Sequence, residues 1–353
     1  MLSEVFKYSG ACAKVKAMSG NFLSGGDYKA LLSKTSVNDA AAYLKNHTSY
    51  GKALREVSEA EIHRGELEAL LQDAWEREFV KLCRYEKGNN KKFFRVFILR
   101  YEIELLKQML RMLESGRLSA FTDRTNGYYK KHMTIDPERL ARSQNIPRFI
   151  ENLRGSPYFG VLSAFTANAE HLNIFNIEMT LDVYYFTYAW KLIGKLLEKN
   201  DRRAVEKSFG TEVDLLNIMW IIRCKTYFDT PKEIIYSFIL PRRYRLKHAR
   251  LVALVEAKTP EETRAALRDT PYGAVFERDG GFMERRCYKF IFKNLLRDMR
   301  RMPFSIVSML GYIHIKENEV GNIIKIIEGI RYGLDPGEIE RYLIRDGGEE
   351  DGG

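Results

Sequence analysis

The sequence predicts an all-α protein built from a repeated helical unit, and three observations carry that prediction. Alternating apolar runs joined by two-residue turns, the signature of strands, are almost absent. Only nine prolines interrupt 353 residues, which leaves room for long helices. The same sequence markers also return three times in one order, at a period of about 110 residues, far longer than the ~34 to 47 of solenoid repeats. A period of that size means duplicated small domains.

Three markers define the unit. "YLKNHTSYGKAL", "NLRGSPYFGVL" and "ALRDTPYGAVF" each run from Leu through a base to Ser or Thr and then Tyr50, Tyr158 or Tyr272, at separations of 108 and 114 residues. "ELEALLQDAWEREF", "NIEMTLDVYYFTYAW" and "FMERRCYKFIFKNLL" align on Glu68, Glu178 and Glu284, separated by 110 and 106. "RYEIELLKQMLRMLESGRL", "GTEVDLLNIMWIIRCKTYFDTP" and "KENEVGNIIKIIEGIRYGLDP" each set two acids ahead of an apolar helical stretch. Aligning the second acid puts Glu104, Asp214 and Glu319 in register, 110 and 105 residues apart. Asn217 and Asn322 follow three residues later, where the first copy has Lys107. Acids near helix starts are ordinary in any helical protein. The joint order of the markers is what argues for a repeat, with boundaries at 1–118, 119–229 and 230–345 and an acidic, glycine-rich disordered tail at 346–353.

Local chemistry supports helices inside each unit. In "TPEETRAALRDTPYG", Thr259 is an N-cap, Pro260 fits the first helical position, Glu262 is the capping-box acid and Leu267 comes last before the turn. Leu215, Ile218, Trp220, Ile221, Ile222 and Cys224 surround their helix with apolar groups, which predicts burial on more than one side. In the last copy Glu319 and Asn322 share a face, while Glu317 is turned by about 200° from Glu319. Ile323, Ile326 and Ile330 follow on the side of that pair, so its expected role is to orient the helix within its lobe; contact with a partner is the rival role.

Composition narrows the function classes. The formal charge of +10 favours acidic partners, nucleic acid or an anionic membrane surface. Cys12, Cys83, Cys224 and Cys287 are far apart among apolar neighbours, as reduced structural thiols are. The charged amino terminus lacks a secretory core, and Lys191 and Lys195 break the most apolar stretch, so the expected location is peripheral, at the cytoplasmic side of any membrane. No Walker loop, zinc-protease motif, paired Cys motif or nucleophile elbow occurs; "SGNFLSGGDYK" has the glycines of a phosphate loop without its Lys and reads as a turn. The six histidines stand singly, and no catalytic, cofactor or metal site is expected. One basic cluster stands out in "LPRRYRLKHAR": Arg242, Arg243, Arg245, Lys247 and Arg250, with Tyr244 and His248 among them. It could grip phosphates around an aromatic platform, or form a solvated helix start.

The markers resemble a known family. "KYSGACAKVKAMSGNFLSGGDYKALL", "EVDLLNIMWIIRCK" and "IKENEVGNIIKIIEGIRYGLDPGEIERYL" are similar to the C subunit of archaeal and bacterial A/V-type ATPases, whose eukaryotic counterpart is the d subunit of the V-ATPase. The likeness covers nearly the whole chain and departs at Lys107 and in the longer "SGRLSAFTDRTNGYYKKHM" entry to the second repeat. It implies a three-lobed helical funnel, non-enzymatic and without cofactor, one copy per complex. Members of the family join the D and F subunits of the central stalk to the membrane proteolipid ring of K/c subunits for proton or sodium transport, and bind no nucleic acid. Two other classes fit the residues alone: a basic helical nucleic-acid-binding protein, whose binding would weaken steeply with salt, and a cytosolic helical scaffold.

Overall fold

A computed structural model describes residues 2–58, 61–123, 127–166, 173–228, 230–277 and 282–345. The expected tail at 346–353 and His171 lie outside these residues. Every regular element among the described residues is helical, so the fold is all-α. The chain forms two compact units, one from Met1–Lys87 with Val275–Gly353 and the other from Gly88–Ala274.

In the first unit the helix Ile306–Arg331 is central. It packs against Leu2–Ser19, Arg64–Cys83 and Met283–Arg301, and against the shorter Gly25–Leu32 and Val37–His47. Its apolar residues fall around most of the circumference, from Ile306, Val307 and Met309 to Ile323, Ile326 and Ile327, all buried, as a helix enclosed by neighbours requires. Gly329 lets Pro336–Glu340 close on its last turns: a Cβ there would stand 2.4 Å from the Ile339 side chain.

The second unit has three long helices, Arg95–Glu114, Ile174–Leu196 and Lys199–Tyr227. Ile174–Leu196 packs against both of the others. Short helices accompany them, among them Pro137–Ala141, Ile146–Glu151, Pro157–Leu162, His248–Glu256 and Pro260–Leu267.

The short helices start where the cap chemistry says they should. Ser36, Asp136, Asn145 and Ser156 each accept a backbone N–H of the first turn. Thr259 accepts from the Glu262 N–H, and the Glu262 carboxylate reaches back to the Lys258 N–H at 2.7 Å. "SGNFLSGGDYK" departs from the expected turn. Its first half turns through Phe22, but Ser24 and Asp27 form a reciprocal capping box that opens Gly25–Leu32. All four cysteines are buried, and none forms a disulfide.

Candidate functional site

The most chemically specific feature of both units is a buried carboxylate that ties a loop and a tyrosine to a long helix. Asp214, fully buried on Lys199–Tyr227, accepts the Tyr244 N–H on Oδ1 at 3.0 Å. Its Oδ2 accepts the N–H groups of Arg245 at 2.6 Å and Leu246 at 2.9 Å, and the Tyr272 hydroxyl at 2.6 Å. Aiming three successive amides at one carboxylate bends the loop sharply, and Arg242 takes φ 60, a region that side chains enter at a cost. Gly210, one turn before Asp214, supplies the space: a Cβ there would lie 2.7 Å from Tyr244 Cβ. Removing a carboxylate from water is expensive unless fixed donors replace its hydration, and these four donors do so.

Glu319 on Ile306–Arg331 repeats the arrangement in the first unit. Its Oε2 accepts the Leu23 N–H at 2.6 Å, and its Oε1 accepts the Tyr50 hydroxyl at 2.9 Å and Lys316 Nζ at 2.7 Å. Lys316 is itself 2% exposed, and its Nζ stands 4.3 Å from the Tyr50 ring centre and 3.9 Å from Glu78. Glu78 also accepts the Tyr312 hydroxyl at 2.5 Å. On Arg95–Glu114 the same part is played by Glu102, which accepts the Thr134 N–H and the Tyr158 hydroxyl, the latter at 2.5 Å.

The hydrogen bonds therefore place Glu102, not Glu104, in register with Asp214 and Glu319. Two residues along a helix is about 200°, so only one acid of each pair can face the interior. Glu104 is exposed and pairs with Lys107 at 3.2 Å, just as Glu317 is exposed and stands 3.7 Å from His314. Lys107 is buried and also pairs with Asp182 of Ile174–Leu196, whose carboxyl burial pushes up to about 6 against the pull of that lysine. Leu105, not Lys107, is the residue three after the clasp acid. Asn217 and Asn322, at that position in the other two helices, each bracket one backbone residue. Asn217 bonds both the N–H and the carbonyl of Leu240, at 2.8 and 3.2 Å, and Asn322 does the same to Ile344, at 3.1 and 2.7 Å.

The tyrosine marker has a local cause. Thr48, Ser156 and Thr270 each accept the N–H of the tyrosine two residues on, at 3.2, 3.3 and 3.2 Å, so the Ser/Thr-x-Tyr pattern fixes the backbone that aims the phenol. Burial and then the neighbouring carboxylates raise the pKa of Tyr50, Tyr158 and Tyr272 above the ordinary phenol value. Each phenol stays a proton donor through the physiological range.

The basic cluster turns out to be the outer side of the Asp214 loop. Its amides point at the buried carboxylate, while Arg242, Arg245 and Lys247 are exposed and Arg243 and Arg250 half-buried. No group of three or more His, Cys, Asp or Glu among the described residues could hold a metal ion, and no described helix is long and apolar enough to cross a membrane. These clasps hold loops and tyrosines on the long helices. The signal that distinguishes Glu102 from Glu104 was in the sequence. Ile98, Leu106 and Met109 share the face of Glu102, whereas Arg100, Tyr101, Lys107, Gln108 and Arg111 surround that of Glu104.

Comparison with known proteins finds relatives along nearly the whole chain. The chain is similar to proteins named as the C subunit of A-type ATP synthase: 24% identical to that of Methanosphaera stadtmanae over 97% of this chain and 89% of the relative. It is 24% identical to that of Methanocaldococcus jannaschii over 98% and 88%, and 24% identical to that of Methanosarcina acetivorans over 96% and 92%. The family model described as ATP synthase (C/AC39) subunit matches residues 11–342, and the chain belongs to that family.

Proposed function

We propose that the chain is a non-catalytic component of the central stalk of an A-type ATP synthase, coupling a shaft of D and F subunits to the membrane proteolipid ring from the cytoplasmic side. The observation that carries this reading is the end-to-end likeness to relatives named as the C subunit of A-type ATP synthase. In this role the chain takes no cofactor, enters as one copy per complex, and works as three lobes whose covalent repeats are 1–118, 119–229 and 230–345.

The clasps support the mechanical part of the proposal. Their order is cyclic: Glu102 holds Tyr158 of the following repeat, Asp214 holds Tyr272 of the next, and Glu319 holds Tyr50 of the first. Each long helix thus carries the short helices of another repeat as one body, through directional bonds that resist sliding better than apolar contact alone. A part that transmits torque needs that stiffness. Capture from detergent-solubilised membranes with the tagged chain tests the assignment. ATP synthase subunits and a proteolipid are the expected yield; their absence, or saturable binding of ATP to the isolated chain by calorimetry, would overturn it.

A further inference from the structure

We infer that one end of the first unit is a docking surface for an anionic lipid bilayer. Three segments meet there: the start of Leu2–Ser19, the end of Arg64–Cys83, and the turn between Met283–Arg301 and Ile306–Arg331. The Tyr85 ring lies 3.5 Å from where a Cβ on Gly10 would stand, and Phe6 is one turn before Gly10 on the same helix face. Cys12 Sγ donates to the Pro303 carbonyl at 2.6 Å, which holds Phe304 beside the same helix. Phe6, Tyr85 and Phe304 are 81%, 45% and 43% exposed.

Cations surround these rings. Lys7, Arg84, Lys87, Arg300 and Arg301 are all exposed; of the acids next to them in sequence, Glu86 is 5% exposed and Glu4 precedes Phe6 by two residues. Arginines at helix C-termini are ordinary partners of the helix dipole, and that accounts for Arg84, Arg300 and Arg301. It accounts neither for Lys87 nor for a phenylalanine left four-fifths in water. Protein interfaces deplete lysine around their aromatic centres. Rings flanked by lysine as well as arginine match the other chemistry, in which aromatic groups sink to headgroup depth and cations meet lipid phosphates.

The inference stands on this surface alone and not on the assembly role proposed above, so vesicle binding and membrane capture fail or succeed separately. The test is flotation of the purified full chain with phosphatidylcholine vesicles, with and without about one-third phosphatidylglycerol. Binding to the anionic vesicles only, released by about 0.5 M salt, is the expected result. Phe6→Ser, Tyr85→Ser and Phe304→Ser together should weaken it about tenfold or more. Lys7→Gln, Lys87→Gln and Arg301→Gln together should weaken it by about a hundredfold. Circular dichroism and melting check that both variants keep the fold. No partition into anionic vesicles at low salt would overturn the inference, as would partition unchanged in both variants. So would an aromatic variant that binds vesicles normally yet loses a protein partner.

Discussion

Replacing Asp214 with alanine removes one side chain and orphans four donors. Two of them, the Leu246 N–H and the Tyr272 hydroxyl, are in buried bonds; the Tyr244 and Arg245 amides are only part-buried and can turn to water. A buried donor left without its acceptor costs about 1–3 kcal/mol, so the two buried ones predict about 2–6 kcal/mol. Losing the carboxylate also removes its own desolvation cost, which puts the expected loss at the lower end, about 2–4 kcal/mol. That is a large share of the ~5–15 kcal/mol that holds a typical domain. Tyr272→Phe leaves the carboxylate three donors and should cost about 1 kcal/mol. In the double variant the hydroxyl no longer needs a partner, so the two losses should not add. Urea unfolding followed by circular dichroism gives the totals, and hydrogen exchange at the amides of residues 244–246 localises them, because two compact units need not unfold together. Asp214→Ala within about 0.5 kcal/mol of the parent, with those amides still protected, would refute the clasp as a source of stability.

Glu102→Ala should destabilise by about 1–3 kcal/mol, whereas Glu104→Ala, at an exposed acid whose buried partner Lys107 keeps Asp182, should stay within about 0.5 kcal/mol; the reverse ranking in urea melts would reject the Glu102 register. Glu319→Ala leaves Lys316 buried with Glu78, at 3.9 Å, as its remaining carboxylate among the described residues, so a loss of about 3–5 kcal/mol is expected, and under the proposed role assembly onto a proteolipid ring would weaken as a consequence. An unchanged melting curve with lost assembly would make Glu319 a contact residue instead. Alkaline stability follows from the phenols. Tyr50, Tyr158 and Tyr272 have folded pKa values above their unfolded value, so the stability they contribute is complete below pH ~10 and is lost as pH rises beyond it. Each should cost about 1.4 kcal/mol per pH unit above that point. Their ionisation, read by ultraviolet absorbance, should coincide with unfolding; titration near pH 10 in a fully folded protein would contradict the prediction.

The helical class, the starts of the capped helices and the recurrence of a tyrosine, an acid and an asparagine at a long period were all readable from the order of residues. These are legible because each depends on near neighbours: a cap on the residue three along, a Ser/Thr-x-Tyr turn on the residue two along. The buried face of Arg95–Glu114 was also written in its apolar spacing, although aligning the second acid of each pair led to Glu104. Which tyrosine meets which acid came from the packed chain alone. Tyr50 and Glu319 are 269 residues apart, and no local preference selects one buried carboxylate over another for its phenol. Packing likewise made the basic cluster the back of a loop whose amides hold Asp214, since whether a backbone N–H faces water or a distant side chain depends on how the chain packs, not on the residue that carries it.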